Sequence, residues 1–338
     1  MFKPTTSCFV RLLVAVASIS GLCDVPAQAG TSEDVTLGAK IYANYGAKLS
    51  DPPSEDEPTG DLISNGFEIQ RVYLTTKAKI DDTFSVLITT DVGRTNDRQL
   101  ELFLKYAYLQ AKLGSDMKLR VGAAPTPYVG VSEKFWGHRW VAQSFTDQEG
   151  LLNSSDLGIH LQGDHSEGLV RWAASVVNGE GQGNPESNPT KATQVRVTVD
   201  PLNGGSISLP LTVFASKDVY TVDDVDGTTT MVGAIGLDHK LGKVWGEYAG
   251  ADDGDTKGAG MSAAVVINIQ DIASVIVRHD QWDPDTDTDD DGHTTLRAGL
   301  TRDIAKKTSV GLTYESTRPE VDSDLTSTGV FLRMQAGF

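Results

Sequence analysis

The chain has 338 residues, 29 basic against 46 acidic side chains for a net charge of −17, and two cysteines. So acidic a balance excludes a nucleic-acid binder held by phosphate contacts, and two cysteines cannot frame a disulfide scaffold. Beyond the first thirty or so positions no apolar run approaches the roughly 18 residues of a spanning helix, a test that is blind to membrane barrels built of alternating strands.

The chain opens MFKPTTSCFVRLLVAVASISGLCDVPAQAG, with Lys3 and Arg11 ahead of an apolar stretch from Leu12 to Leu22 and a small-x-small close at Ala27-Gln28-Ala29. This pattern predicts a secretory signal peptide over residues 1–29, followed by a mature chain over 30–338. The segment takes Cys8, Cys23, Lys3, Arg11 and Asp24 with it, leaving no cysteine and 27 basic against 45 acidic side chains, a balance of −18.

Alternation and turn residues predict strands over 34–49, 65–80, 83–92, 100–113, 116–123, 156–163, 168–178 and 191–200. They continue over 206–216, 229–240, 242–250, 257–269, 271–281, 293–304, 307–317 and 325–338, sixteen in all. Every second connection is short, as at Asp81-Asp82, Gly114-Ser115, Leu241, Gln270 and Ala305-Lys306. The others are longer and acidic or rich in Gly and Pro, as in DPPSEDEPTGDL, GEGQGNPESNPT and DPDTDTDDDGH. Short turns at one end and long loops at the other describe an all-β, 16-stranded antiparallel transmembrane β-barrel of the bacterial outer membrane. A soluble sandwich also has many short strands but no reason to segregate its loops.

The two faces of the strands agree with this. In FSVLITTDV, Phe84, Val86 and Ile88 oppose Ser85, Thr89 and Asp91; in TSVGLTYE, Val310, Leu312 and Tyr314 oppose Ser309, Gly311, Thr313 and Glu315. Lipid outside and a wet interior follow, and sixteen strands enclose an aqueous channel. Tyr248, Tyr314 and Trp282 are expected in an aromatic girdle. The final strand alternates Val330, Leu332, Met334, Ala336 and Phe338; it is expected to close the barrel against the first, with this apolar set in lipid. A C-terminal aromatic of this kind resembles the recognition signal of outer-membrane barrels.

One connection is far longer than the rest. The third long loop, about residues 124–155, carries Tyr128, Phe135, Trp136, Trp140 and Phe145. So many aromatics argue against disorder, and a loop of this length inside a wide barrel is expected to fold inward and narrow the channel.

Several stretches now resemble a family. GFEIQRVYLTTKAKI, LRVGAAPTPYVGVSE, DLGIHLQG, VVNGEGQGN and VRVTVDPL look like successive landmarks of the phosphate-selective porin O and P family over strands two to eight. The resemblance implies a trimeric, sixteen-stranded channel of Gram-negative bacteria. Of the family's arginine-rich run on the second strand only Arg71 matches, in Gln70-Arg71-Val72-Tyr73. Ala123-Ala124-Pro125 stands where the family often carries a lysine.

By alternation Arg120, Arg171, Arg196, Arg297 and Arg333 point into the lumen, with His160 among them; Arg71 joins them as the matched basic position, while the faces of Lys105 and Arg278 are less clear. These arginines either form a basic strip that guides anions or pair with Glu68, Asp91, Glu101, Glu247 and Glu315 and brace the wall. In the third loop Glu133, Asp147 and Glu149 face Lys134 and Arg139. His138 lies in WGHRW, which either lines the constriction or packs the loop onto the wall. The outer loop over 283–292 opens like a calcium loop at Asp287, Asp289 and Asp291, but position 298 is alanine and the bidentate glutamate is missing. It is either a weak Ca²⁺ or Mg²⁺ site or a solvated acidic loop; no other cofactor is expected.

No hydrolase, zinc, thiol or P-loop motif occurs, so an enzyme is not expected. The expected function is a passive outer-membrane porin for small hydrophilic solutes and ions. Its neighbours would be lipid and lipopolysaccharide, and its selectivity is expected to be weak. A substrate-specific anion or phosphate channel is the alternative, and a structural or adhesive barrel lies further off.

Overall fold

The computed structural model describes residues 34–50, 64–94, 99–186, 188–203, 205–219, 227–270, 272–322 and 325–338. The expected signal peptide and the whole loop DPPSEDEPTGDL lie outside them. Alternating sequence becomes wall in chain order: β1 Val35–Ser50, β2 Ser64–Lys79, β3 Phe84–Arg94, β4 Leu100–Leu113 and β5 Met117–Pro125. After the third loop follow β6 Ser155–His165, β7 Val170–Val177, β8 Ala192–Val199, β9 Ile207–Ser208 and β10 Leu211–Lys217. The wall continues with β11 Thr229–His239, β12 Gly242–Asp252, β13 Lys257–Ile269 and β14 Ala273–Asp283. It ends with β15 His293–Ala305, β16 Thr308–Pro319 and β17 Ser327–Gly337.

Apart from β9 and β10, each strand pairs antiparallel with its sequence neighbours, and β17 returns to β1 with Arg333 opposite Asn44 and Gln335 opposite Tyr42. Closure leaves no free edge. β9 and β10 lie on one register line, Ser208 opposite Asp238 and Leu211 opposite Ile235, so the wall has sixteen strands. The break falls at Leu209-Pro210, where proline has no N–H to donate. Asp200 fills the gap, its Oδ2 accepting from Ser208 Oγ at 2.5 Å and its Oδ1 from Leu209 N at 2.8 Å.

The lipid-facing set is as the alternation requires: Leu37, Phe67, Leu102, Val213, Met231, Leu312, Leu332 and Phe338 are all exposed. An apolar exterior on a closed antiparallel barrel places the chain in the bacterial outer membrane. Tyr248 and Tyr314 are on this outer surface, but Trp282 corrects the girdle expectation: it points inward and meets Phe145 of the third loop edge-on at 6.2 Å.

The expectation of a uniformly wet interior is also corrected. Phe214, Val232, Trp245, Ala264, Val266 and Ile276 form a buried apolar cluster with Tyr128, Trp136, Trp140 and Phe145 of the loop. These wall residues come from β10 to β14, whose inner faces carry large apolar side chains between buried polar ones such as Thr212, Glu247, Ser262 and Arg278: in β13, Met261, Val265 and Ile267 face out while Ala264 and Val266 face in. The apolar patch on this inner face needs a dry partner, and the loop supplies it along with partners for the buried polar groups.

Two bulges break the alternation on the opposite wall. Between β1 and β2, Arg71 opposes Tyr42 and Ile69 opposes Ala43, so Gln70 is extra; between β3 and β4, Tyr106 opposes Thr89 and Leu104 opposes Thr90, so Lys105 is extra. A bulge re-aims the side chains beside it. That is why the face of Lys105 cannot be read by counting in twos.

Candidate functional site

The third loop leaves the wall at Pro125 and rejoins it at Ser155, which stand opposite each other in the ladder. Pro125 and Pro127 end the strand because neither can donate to it. The chain then turns into helix α1 Val129–Trp136 and, after Ser144, the single turn α2 Phe145–Gln148. Gly137 stops α1 in the left-handed conformation at φ 73°, its N–H donating to the Glu133 carbonyl at 2.8 Å. Neither helix follows the strands' period of two, so neither shows in the alternation.

Three sets of contacts hold the loop across the barrel. The first is polar and buried: Glu247 on β12 accepts from the Tyr128 hydroxyl and, at 3.0 Å, from Ser132 Oγ. The second is aromatic: Phe135 stacks on Trp245 with centroids 4.7 Å apart, and Tyr128 lies 5.6 Å from Phe214. Wall glycines make the room, for a Cβ at Gly236 would sit 2.5 Å from Phe135 Cζ and one at Gly260 2.8 Å from Phe145 Cζ.

The third set is a charge ladder along β14 to β17. Asp280 accepts from Arg278 Nε at 2.8 Å and Arg297 Nη1 at 2.7 Å, and Glu315 accepts from Arg297 Nε at 2.9 Å and Arg333 Nη2 at 3.1 Å. The ends of the ladder reach the loop backbone, Arg278 donating to the Gln143 carbonyl and Arg333 Nη1 to the Val141 carbonyl at 2.5 Å. All three guanidiniums are buried, and a buried charge is tolerated only when paired in this way.

The geometry therefore divides the inward arginines. Arg297 has carboxylates on both sides and lies beneath the loop. Arg71 is held by Asp91, Nη2 to Oδ2 at 2.5 Å. Arg120 rests on the Tyr108 ring and donates to Gln110 at 3.0 Å; Arg171 stands 3.8 Å from Asp200. Arg196 donates to Thr198 at 2.6 Å and leaves Nε without a partner among the described residues. His160 is buried beside Ser175, Nδ1 to Oγ 2.9 Å.

Arg120, His160 and Arg196 line a cavity of ≈ 170 Å³ against Gly130 and Val131 of α1; Arg171, Arg196, Lys134 and Lys243 line an adjoining one of ≈ 270 Å³. The only carboxylate in the second is Asp238, 3.1 Å from Lys243. One flank of the loop is thus basic. On the other, Arg139 pairs with Glu133 at 2.5 Å and Asp147 at 3.6 Å, while Glu149 faces His293 at 3.3 Å. His138 reaches Thr301 Oγ1 at 3.2 Å, and Trp136 and Trp140 are buried, so most of WGHRW is packed against the wall.

Asp287, Asp289 and Asp291 are exposed, and no three acidic or histidine side chains converge among the described residues. Asp285 instead turns inward on its own loop, where the Thr288 hydroxyl and then the Asp287 N–H hold its carboxyl below the usual value.

Counting in twos places the basic wall positions and offers Glu247 as a partner for them, but Glu247 instead latches Tyr128 and Ser132 of the loop; Asp280 and the inward turn of the bulged Lys105 are missed. A usable signal exists for the latch: a buried acid between apolar inward neighbours, as Glu247 is between Trp245 and Ala249, needs a partner from elsewhere in the chain.

No protein-family model and no curated protein matches the chain. Solved structures do. The anion-selective porin from Comamonas acidovorans aligns at 13% identity and TM-score 0.63, covering 90% of this chain and 99% of its own. Salmonella typhi OmpF in complex with daunomycin aligns at 12% and 0.63, over 90% and 97%. Pseudomonas putida OprB aligns at 10% and 0.65, over 90% and 94%. At these identities the likeness is one of fold: the chain has the architecture of outer-membrane porins.

Proposed function

We propose that the chain is a general diffusion channel for small hydrophilic solutes and ions, working as a homotrimer amid outer-membrane lipid and lipopolysaccharide. One observation carries this reading: a loop clamped across the lumen, with a basic flank at Arg120, Arg171, Arg196 and Lys134 and a mixed flank at Glu133, Arg139 and Asp147. Such a loop narrows the path, and fixed charges on both sides of a narrow, water-filled gap act on ions with little screening. The similarity to an anion-selective porin supports a passive pore, and an outer-membrane neighbour solved in a trimer form supports the trimer.

Purified chain in planar bilayers is expected to give stepwise, ohmic conductance with weak ion selectivity. Insertion without steps would overturn the channel reading. The basic flank favours a second reading, a substrate-specific anion channel, and a micromolar phosphate block of the unmodified pore would decide for it.

A further inference from the structure

Across the lumen from the clamped side, the loop faces a cavity of ≈ 320 Å³ whose lining includes Tyr42, Tyr73, Lys105, Tyr106, Glu133 and Arg139. Neither of the two bulges lies far from it: Arg71 beside Gln70 and Lys105 itself flank the Tyr73 ring. At Lys105 the bulge turns two consecutive side chains, Lys105 and Tyr106, toward the lumen, which regular alternation cannot do.

Lys105 is only 5% exposed. Its Nζ sits 5.1 Å from the centroid of Tyr73 and 5.6 Å from that of Tyr106. Among the described residues no carboxylate reaches it within ion-pair distance and no hydrogen bond engages its ammonium. The nearby carboxylates are engaged elsewhere: Asp91 by Arg71, and Glu133 and Asp147 by Arg139. An ammonium cushioned by aromatic faces gains cation–π energy, and its three donors, unpaired with protein groups among the described residues, open onto the cavity. Tyr42 and Tyr73 meet edge to face at 5.6 Å and 79°, and with Tyr106 they give the cavity a wall of rings.

From this we infer that the cavity is a binding subsite for small aromatic monocarboxylates. The carboxylate takes the Lys105 ammonium, and the ring lies among Tyr42, Tyr73 and Tyr106. Arg139, already shared by two carboxylates, closes the slot from the loop side. The inference deepens the channel reading and rests on it for the solute's route, but the site itself is testable by binding alone.

Titration calorimetry on the full barrel folded in detergent, with benzoate, benzyl alcohol and acetate as probes, separates charge from ring. Benzoate should bind more tightly than either. Lys105→Met should weaken it by about tenfold, as expected for a lost hydrogen bond to a charged group. Lys105→Arg should retain binding, Tyr73→Leu should weaken it, and Lys118→Gln, on the exposed periplasmic-end turn side of β5, should leave it unchanged. Acetate binding as tightly as benzoate, or undiminished benzoate affinity in both Lys105→Met and Tyr73→Leu, would overturn the inference. If Lys105→Met does not fold, the three-probe comparison and Tyr73→Leu still decide. Bilayer recordings keep the two readings apart. Benzoate binding without conductance removes the channel and keeps the site; conductance that benzoate neither binds nor interrupts removes the site and keeps the channel.

Discussion

Glu247 shows what one inward side chain does in this barrel. It is buried on β12 and receives both the Tyr128 and the Ser132 hydroxyls, so it fixes the start of α1 to the far wall. Glu247→Ala leaves two buried donors unmet, at about 1–3 kcal/mol each. The expected outcome is a barrel that still folds, melts at a lower temperature on heat-modifiable gels, and shows noisier single-channel current. An unchanged melting temperature and quiet current would mean the latch is idle. Arg196 is legible in the sequence as an inward basic residue because VRVTV alternates strictly. That its neighbours leave it with Thr198 and no carboxylate is a matter of which strands meet.

The third loop is the element that departs most from the rule of two. Its aromatics and prolines mark it as ordered and non-strand in the sequence, and its inward course follows from the apolar patch on the inner faces of β10 to β14 that needs covering. Deleting Gly137 to Thr146 removes Trp140, Val141 and Phe145 together with the Gln143 and Val141 carbonyls that cap Arg278 and Arg333. Conductance in planar bilayers should rise, and the folded yield should fall because the exposed inner wall and the ladder's outer donors lose their partners. Unchanged conductance would place the rate-limiting constriction elsewhere. The ladder Arg278–Asp280–Arg297–Glu315–Arg333 spans four strands and is invisible one strand at a time, since each strand contributes only one or two charges.

Seen as a whole, the barrel has its short turns at one end and its long acidic loops at the other. Cysteines placed at Asn184 or Asp289 should react with an impermeant thiol reagent on intact cells, and one at Asp82 only once the outer membrane is opened; the reverse labelling would invert the orientation. The acidic loops carry most of the negative charge, but salt screens them beyond about 8 Å at physiological ionic strength. Selectivity is therefore expected from the flanks of the inner loop. Neutralising Arg120 and Arg196 together should move the reversal potential toward cations, most in low salt, where the Debye length is longest. A reversal potential indifferent to both would show that ions pass on the other side of the loop.

Alternation with period two, even strand number and segregated loop lengths are local properties of the chain, and they alone determined the barrel, its lipid face and the inward set of basic residues. Register and closure decided the rest. Whether an inward arginine stays open to the lumen, like Arg120, or is consumed as a brace, like Arg297, depends on the residue directly across the ladder, and that residue is 18 positions away at Glu315. A bulge shifts this pairing by one and turns Lys105 to the inside; nothing in LELFLKYAYLQAKL announces it. Side-chain direction follows from the local backbone period, but partnership is a non-local fact, fixed only when sixteen strands close on one another around the loop they enclose.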